Sequence, residues 1–330
     1  MYSMVRQRAR QAYRGMQGPS RDIPSDPIRE VFTKEHLACL EARPNKSDRL
    51  KERLAVLGGN VSHQRYHRAQ KGAWEAYLSA AFALGLFEQP HGEDLRARLT
   101  GDDDDAFRAA MAECMVGWVL AGKLKLNVTP RPEGRRGHPL EYLIHDKSGG
   151  IRVEVKSPYR PRPARGAWCG DDSDLLAAAL KSANDQLESG VRNLLALAPS
   201  IRMPVYLDRG QLARAFYGQP LLTWPFDVTT GCAAGPTTIE FSPDGSFLNL
   251  RNRTGKLIKL DGMPAYTRVG AVVCIEEEPQ SDNPPWIDHK ILVAHNPYAA
   301  DPTPQEIWGS IPQLIEVADG MAWNDSAKPF

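Results

Sequence analysis

At Gly122 the spacing of apolar residues changes period, and this switch constrains the fold more than any other feature of the chain. Before it, apolar residues recur every three or four positions, the repeat of an amphipathic helix. Ser47 stands as the N-cap of a helix running to Leu57, with Gly58-Gly59 as its stop. Trp74, Tyr77, Leu78, Ala81 and Phe82 share one face of a second helix over about 64–86. The acids Asp102–Asp105 precede Phe107, Met111, Cys114, Met115 and Trp118, which again share a face. Carboxylates in a first turn suit the positive end of a helix dipole, a stronger reading of this run than a metal-binding acidic box. Beyond Gly122, Lys123–Val128, Leu140–His145 and Ile151–Val155 have strand composition, with a hairpin turn at Asp146–Gly150 between the last two.

Further along, a helical stretch is expected from about Asp174 to Leu197, a strand at Met203–Leu207, and short β runs between 221 and 295. Thr303–Trp323 reads as a closing helix interrupted at Pro312. This order predicts an α/β fold, a mixed central sheet flanked by helices, with a helical N-terminal extension. The expected division is a helical extension with a basic arm over 1–100 and an α/β domain over 101–330. Within the latter, the core motifs fall at 104–207 and a β-rich continuation at 221–330.

At 330 residues, 42% hydrophobic and 25% charged, the chain is long enough for one large α/β domain or two smaller ones. It holds no run of about 18 apolar residues, so no membrane span is expected. The net charge of +1 gives no general pull toward nucleic acid but conceals an asymmetry. Residues 1–21 carry Arg6, Arg8, Arg10, Arg14 and Arg21 and no acid, whereas 261–330 hold eleven acids against three bases. That N-terminal composition fits both a transit peptide and an arm that docks on a partner or on phosphates. Cys39, Cys114, Cys169, Cys232 and Cys274 are odd in number and scattered, without a Cys-x-x-Cys pair. Neither a disulfide framework nor a zinc ribbon is supported, and a cytoplasmic location is expected.

The chemistry concentrates in His138-Pro-Leu-Glu-Tyr-Leu-Ile144, the turn, and Ile151-Arg-Val-Glu-Val-Lys-Ser157. Glu154 and Lys156 project from one face of a strand while Val153 and Val155 pack on the other. Glu141, thirteen residues upstream of Glu154, falls on the partner strand. Two carboxylates at neighbouring sheet positions repel unless a cation lies between them. Mg²⁺ answers that need, taking one or two carboxylates, a main-chain carbonyl and waters. Glu141, Glu154 and the Val155 carbonyl are the expected ligands, with Lys156 placed to hold or help deprotonate an attacking water. The plainer reading is a strand whose charged face meets solvent and whose cross-strand pairs stabilise the sheet modestly. Against it stands the neighbourhood. Nine bases lie between Arg131 and Arg165 against four acids, two of them the proposed ligands. Arg131, Arg135 and Arg136, and Arg160, Arg162 and Arg165, leave opposite ends of the motif on Pro/Gly-rich loops that can reach a phosphate backbone.

This segment resembles the PD-(D/E)xK, or restriction-endonuclease-like, nuclease superfamily. Leu140-Glu141 stands where that family has Pro-Asp, and Glu154-Val155-Lys156 supplies its Glu-x-Lys. The family order of helix, β-meander, helix and strand matches residues 104–207, about a third of the chain. Glu replaces the usual Asp, and Pro139 is displaced by one position. The resemblance implies a restriction-endonuclease-like core and metal-dependent hydrolysis of DNA phosphodiester bonds with Mg²⁺ or Mn²⁺, with Glu141, Glu154 and Lys156 as catalytic residues. It also implies Glu113 as a further metal-side acid, and Lys181 and Gln186, beside Asn184, as phosphate-orienting residues. A role in bacterial restriction or anti-phage defence follows from the same likeness, with a homo-oligomer or an ATPase subunit as partner. The rival expectation is a catalytically inactive subunit that keeps the nuclease fold and holds nucleic acid or a partner. RNA remains open as a substrate. His63 and His67 have i, i+4 spacing but no third ligand, Gly117–Leu124 lacks the Ser/Thr of a phosphate-binding loop, and His295-Asn296-Pro297 reads as structural.

Overall fold

Short polar residues start the helices of the first third. The computed structural model describes residues 23–58, 65–88, 92–130, 140–147, 149–159, 172–199, 208–223, 226–233, 238–242, 244–251, 254, 258, 262–280, 286–317 and 320–324. Asp26 caps α1 (Pro27–Val31), Thr33 caps α2 (Lys34–Glu41), and Ser47 Oγ accepts from the Leu50 N–H at 3.0 Å to open α3 (Asp48–Leu57). Next come α4 (Arg65–Leu84), α5 (Gly92–Thr100) and α6 (Asp104–Gly117). The Asp103 carboxylate accepts from the Asp105 and Ala106 N–H groups, so the acidic run caps α6. Its other acids meet the α3 region: Asp102 pairs with Arg43, Asp104 accepts from Ser47, and Asp105 pairs with Arg49. α4 packs on α6, and Phe107 lies edge-on to Trp74 with ring centres 5.4 Å apart.

A π-helical turn, Trp118–Lys123, follows α6. The strand expected from Lys123 therefore begins later: Lys125 takes φ +58°, and β1 (Asn127–Pro130) starts beyond it. β2 (Tyr142–Asp146) and β3 (Gly149–Lys156) form the expected antiparallel hairpin, Tyr142 opposite Val153 and Asp146 opposite Gly149. Then come α7 (Ser173–Gln186), β4 (Arg192–Leu197), α8 (Arg209–Tyr217), β5 (Pro220–Thr223), β6 (Phe226–Asp227), β7 (Cys232–Ala233), β8 (Thr238–Phe241), β9 (Ala271–Gln280), β10 (Trp286–His295), β11 (Gln313–Val317) and β12 (Gly320–Asn324).

Two expectations fail. The helix from Asp174 ends at Gln186, because Gly190 reverses the chain at φ +76° and Arg192–Leu197 becomes a strand. Leu194–Leu197 are fully buried, and a continuous apolar run of this kind fits a buried strand as well as a helix. The closing helix over Thr303–Trp323 is also absent. A 3₁₀ turn at Glu306–Trp308 stops at Gly309, φ +55°, and beyond Pro312 the chain forms the β11–β12 hairpin. Pro312 denies a helix its N–H, and Ile315 and Val317 are β-branched. The strand expected at Met203–Leu207 lies outside the described residues.

The architecture is mixed α/β: eight strands form one sheet in the order β1-β2-β3-β4-β9-β10-β11-β12, with β5–β8 and β6–β7 as separate pairs. The contacts divide the chain into two units. Among the described residues, the first holds α1–α6, β1–β3 and Ile275–Lys290, and the second holds those between Pro158 and Cys274 and from Ile291 onward. In the second unit β4 runs parallel to β9, Leu194 opposite Ala271, and β10 runs parallel to β11. Among the described residues no helix is long and apolar enough to cross a membrane.

Candidate active site

The hairpin register brings the motif together in the first unit. The paired register ends with Tyr142 opposite Val153, so Glu141, expected on the strand, stands one residue before β2, where its N–H donates to the Val153 carbonyl at 3.2 Å. The Glu141 side chain turns back onto β3, where its Oε2 accepts from the Val155 N–H at 2.8 Å. Glu154 Oε1 forms an ion pair with Lys156 Nζ, two residues along the same face. Glu154 Oε2 is buried without a hydrogen-bond donor. The Glu141 carboxyl lies within hydrogen-bonding reach of Glu154.

The charged face of β3 is not solvated. Glu154 is 2% exposed, against the expectation that it points away from the core. α6 packs on β3. Tyr142 secures the contact: its hydroxyl donates to the Glu113 carbonyl on α6 at 2.6 Å. Four residues on, Gly117 gives the tyrosine ring its space; a Cβ there would press on the hydroxyl and sit 2.9 Å from Cζ and 3.1 Å from Leu84 Cδ1.

Glu113 enters the same cluster electrostatically. Burial, then the charges of Glu154 and Glu113, push the Glu141 carboxyl well above the usual carboxylate range, against the Val155 N–H and Lys156. Burial raises Glu154 as well, opposed chiefly by Lys156. The coupled pair therefore favours one shared proton over two negative charges. Glu113 itself is gripped by Arg98 of α5, whose Nη1 and Nη2 donate to Oε1 and Oε2 at 2.5 and 3.0 Å. Burial works against the Arg98 charge, but Glu113 and then Asp94 more than offset it and raise its pKa. Among the described residues no three His, Cys, Asp or Glu side chains stand grouped as ligands of one ion.

The remaining expected residues have different standings. Lys181, in the second unit, pairs with Asp185 at 3.1 Å, and Gln186 is the last residue of α7. Arg131, Arg135, Arg136, Arg160, Arg162 and Arg165 lie outside the described residues, as does the 1–21 arm. His67 faces Glu52 at 3.9 Å. His295 accepts or donates to Gln313 in the interior, and the Asn296 amide donates to the Val269 carbonyl, both structural roles.

Sequence reasoning missed Arg98, Tyr142 and Gly117. Arg98 offers no signal beyond an ordinary helix charge. It also missed a second buried polar cluster in the first unit. There the Tyr77 hydroxyl donates to Glu277 at 2.5 Å and lies 2.6 Å from His289 Nε2, with the Trp118 ring against the imidazole. Burial pushes Glu277 up to about 7 and His289 down to about 3. An acid at position 277, following the apolar run Ala271–Ile275, was the available hint.

Comparison with protein-family models, with curated proteins and with solved structures finds no match to this chain.

Proposed function

We propose that the protein is a metal-dependent nuclease that hydrolyses DNA phosphodiester bonds, with its active centre on the β2–β3 hairpin. The observation that carries this reading is the half-buried Glu141, bound to the Val155 N–H, beside the buried Glu154 with its ion-paired Lys156. Structural charge pairs of a sheet normally sit in solvent and bring matched partners. Here Lys156 ion-pairs with Glu154, and a second carboxyl, Glu141, lies within hydrogen-bonding reach of the same acid. An uncompensated buried carboxylate costs several kcal/mol, roughly, so such a set is retained where a cation completes it.

The donors suit Mg²⁺ or Mn²⁺: Glu141, Glu154 and the Val155 carbonyl would hold the ion. When bound, a divalent cation supplies a Lewis acid for the charge that builds on the scissile phosphate. Lys156 orients the attacking water and stabilises the negative charge of the expanding phosphate. Glu154 holds the ammonium in place through their ion pair.

Incubation of supercoiled plasmid with the protein in Mg²⁺ or Mn²⁺ should give nicked and linear DNA, abolished by EDTA. One observation favours a non-catalytic subunit holding nucleic acid instead: Arg98 and Lys156 already bring two cations to the three carboxylates. Metal-independent DNA binding with no cleavage under any divalent ion would establish that second reading.

A further inference from the structure

Away from the β2–β3 hairpin, the first unit holds an acid with which no cation pairs among the described residues. Glu277 accepts from the Tyr77 hydroxyl at 2.5 Å, and the same hydroxyl lies 2.6 Å from His289 Nε2. The neighbouring lysines are directed elsewhere. Lys123 Nζ donates to Asp288 Oδ1 at 2.8 Å and to the His289 carbonyl at 2.9 Å, and Lys290 pairs with Glu276 at 3.6 Å. Tyr66, also on α4, brings no help: burial, then the Glu277 charge, push its hydroxyl up, and its oxygen is buried without a hydrogen-bond partner. Tyr77 and His289 are 2% and 6% exposed, so their contact is shut off from bulk water. Trp118, on the π-helical turn, packs against the imidazole with ring centres 4.6 Å apart, and Tyr77 meets it edge-on at 5.6 Å.

One atom sets the direction of these hydrogen bonds. His289 Nδ1 is buried without a partner, and a proton there would be an unanswered donor. The imidazole proton therefore belongs on Nε2, where it donates to the Tyr77 oxygen and leaves the Tyr77 proton for Glu277. An ionised Glu277 then has a single neutral donor for its charge, whereas a protonated one keeps that bond and sheds the charge. We propose that Tyr77, Glu277 and His289 form a pH-controlled latch between α4 and the β9–β10 strands, fastened while Glu277 is protonated and loosened once it ionises. The latch does not depend on the metal-site reading of Glu141 and Glu154. Burial, against the Tyr77 hydrogen bond, holds Glu277 at about 7, and in an opened latch it returns toward 4.5. A proton held more tightly in the closed form stabilises it fully below pH 4.5, and that stability is lost as pH rises toward 7. His289, held down chiefly by burial to about 3, stays neutral throughout.

The test is amide hydrogen exchange on the full chain, read by mass spectrometry on peptides from 66–84 and 275–290 and corrected for the intrinsic rate at each pH. In the wild type, protection there should fall by roughly 40-fold between pH 5 and pH 7, and by only about twofold more at pH 8. Glu277→Gln keeps an acceptor for Tyr77 and has nothing to titrate, so its protection should stay within about threefold of its pH 5 level. A wild-type fall of less than tenfold, or a larger than threefold fall in E277Q, would overturn the latch. If E277Q fails to fold, Tyr77→Phe decides. Without its donor the carboxyl ionises at higher pH, so Y77F should go on losing protection nearly tenfold between pH 7 and pH 8. A Y77F profile that levels off with the wild type would overturn the proposal.

Discussion

Two neighbouring carboxyls cannot both ionise cheaply when buried, and burial, then the charge of Glu154, hold Glu141 well above the usual carboxylate range. In the unfolded chain each ionises near pH 4.5, whereas folded Glu141 keeps its proton to well above that value. Between those two pH values the folded state binds more protons than the unfolded one, so stability falls as pH rises. Glu141→Gln removes this titration and leaves an oxygen to accept from the Val155 N–H. In EDTA, its melting temperature should exceed that of the wild type by a few degrees at pH 8, about 1 kcal/mol or more, with the gap closing toward pH 5. A melting curve series across that range checks it, and an E141Q less stable than the wild type at pH 8 would mean that the carboxylate is ionised and well compensated. The β2–β3 hairpin and the shared face of Glu154 and Lys156 were legible in the sequence from alternation and hairpin length, but not that β2 starts only at Tyr142, after Glu141. Burial of Glu154 was not legible, since nothing local to Arg-Val-Glu-Val-Lys announces that its charged side is covered.

Between elements, the site depends on how α6 lies against the β2–β3 hairpin, and Tyr142 and Gly117 set that distance. Gly117→Ala would improve helix propensity yet force a methyl into the Tyr142 ring and Leu84. The expected cost is about 1–3 kcal/mol, the range for overpacking a tight contact. Removing the hydroxyl in Tyr142→Phe loses one buried hydrogen bond, about 1 kcal/mol alone. The double variant should be more stable than the sum of the two losses, because the missing hydroxyl makes room for the methyl. Denaturant melts of the four proteins give this coupling, and strict additivity would place the clash elsewhere. The helical first third and the hairpin could be read from the sequence because periodicity and caps are local signals. β4 and the β11–β12 hairpin could not, because Leu194–Leu197 look alike as helix or strand until a sheet claims them. Pro312 reads in the sequence as an interruption of a helix, and in the fold it precedes a strand.

For the whole molecule, the near-zero net charge means that any DNA affinity comes from local clusters. The segments 131–136 and 158–165 carry six of the nine bases between Arg131 and Arg165. Replacing Arg160, Arg162 and Arg165 together should weaken binding to all DNA sequences alike. Each lost phosphate contact should reduce the log–log salt slope by roughly 0.7–0.9. Deletion of residues 1–21 provides the comparison, since that arm has five arginines and no link to the motif. Wild-type binding by the triple variant, with failure only of the truncation, would move DNA entry to the arm. None of this addresses whether the hairpin carries the chemistry, which single-turnover cleavage of plasmid DNA in Mg²⁺ does. Glu154→Gln and Lys156→Met, each shown to be folded by its melting curve, should cleave at least about 100-fold more slowly than the wild type. Cleavage at the wild-type rate by either variant would contradict an active centre built on Glu141, Glu154 and Lys156.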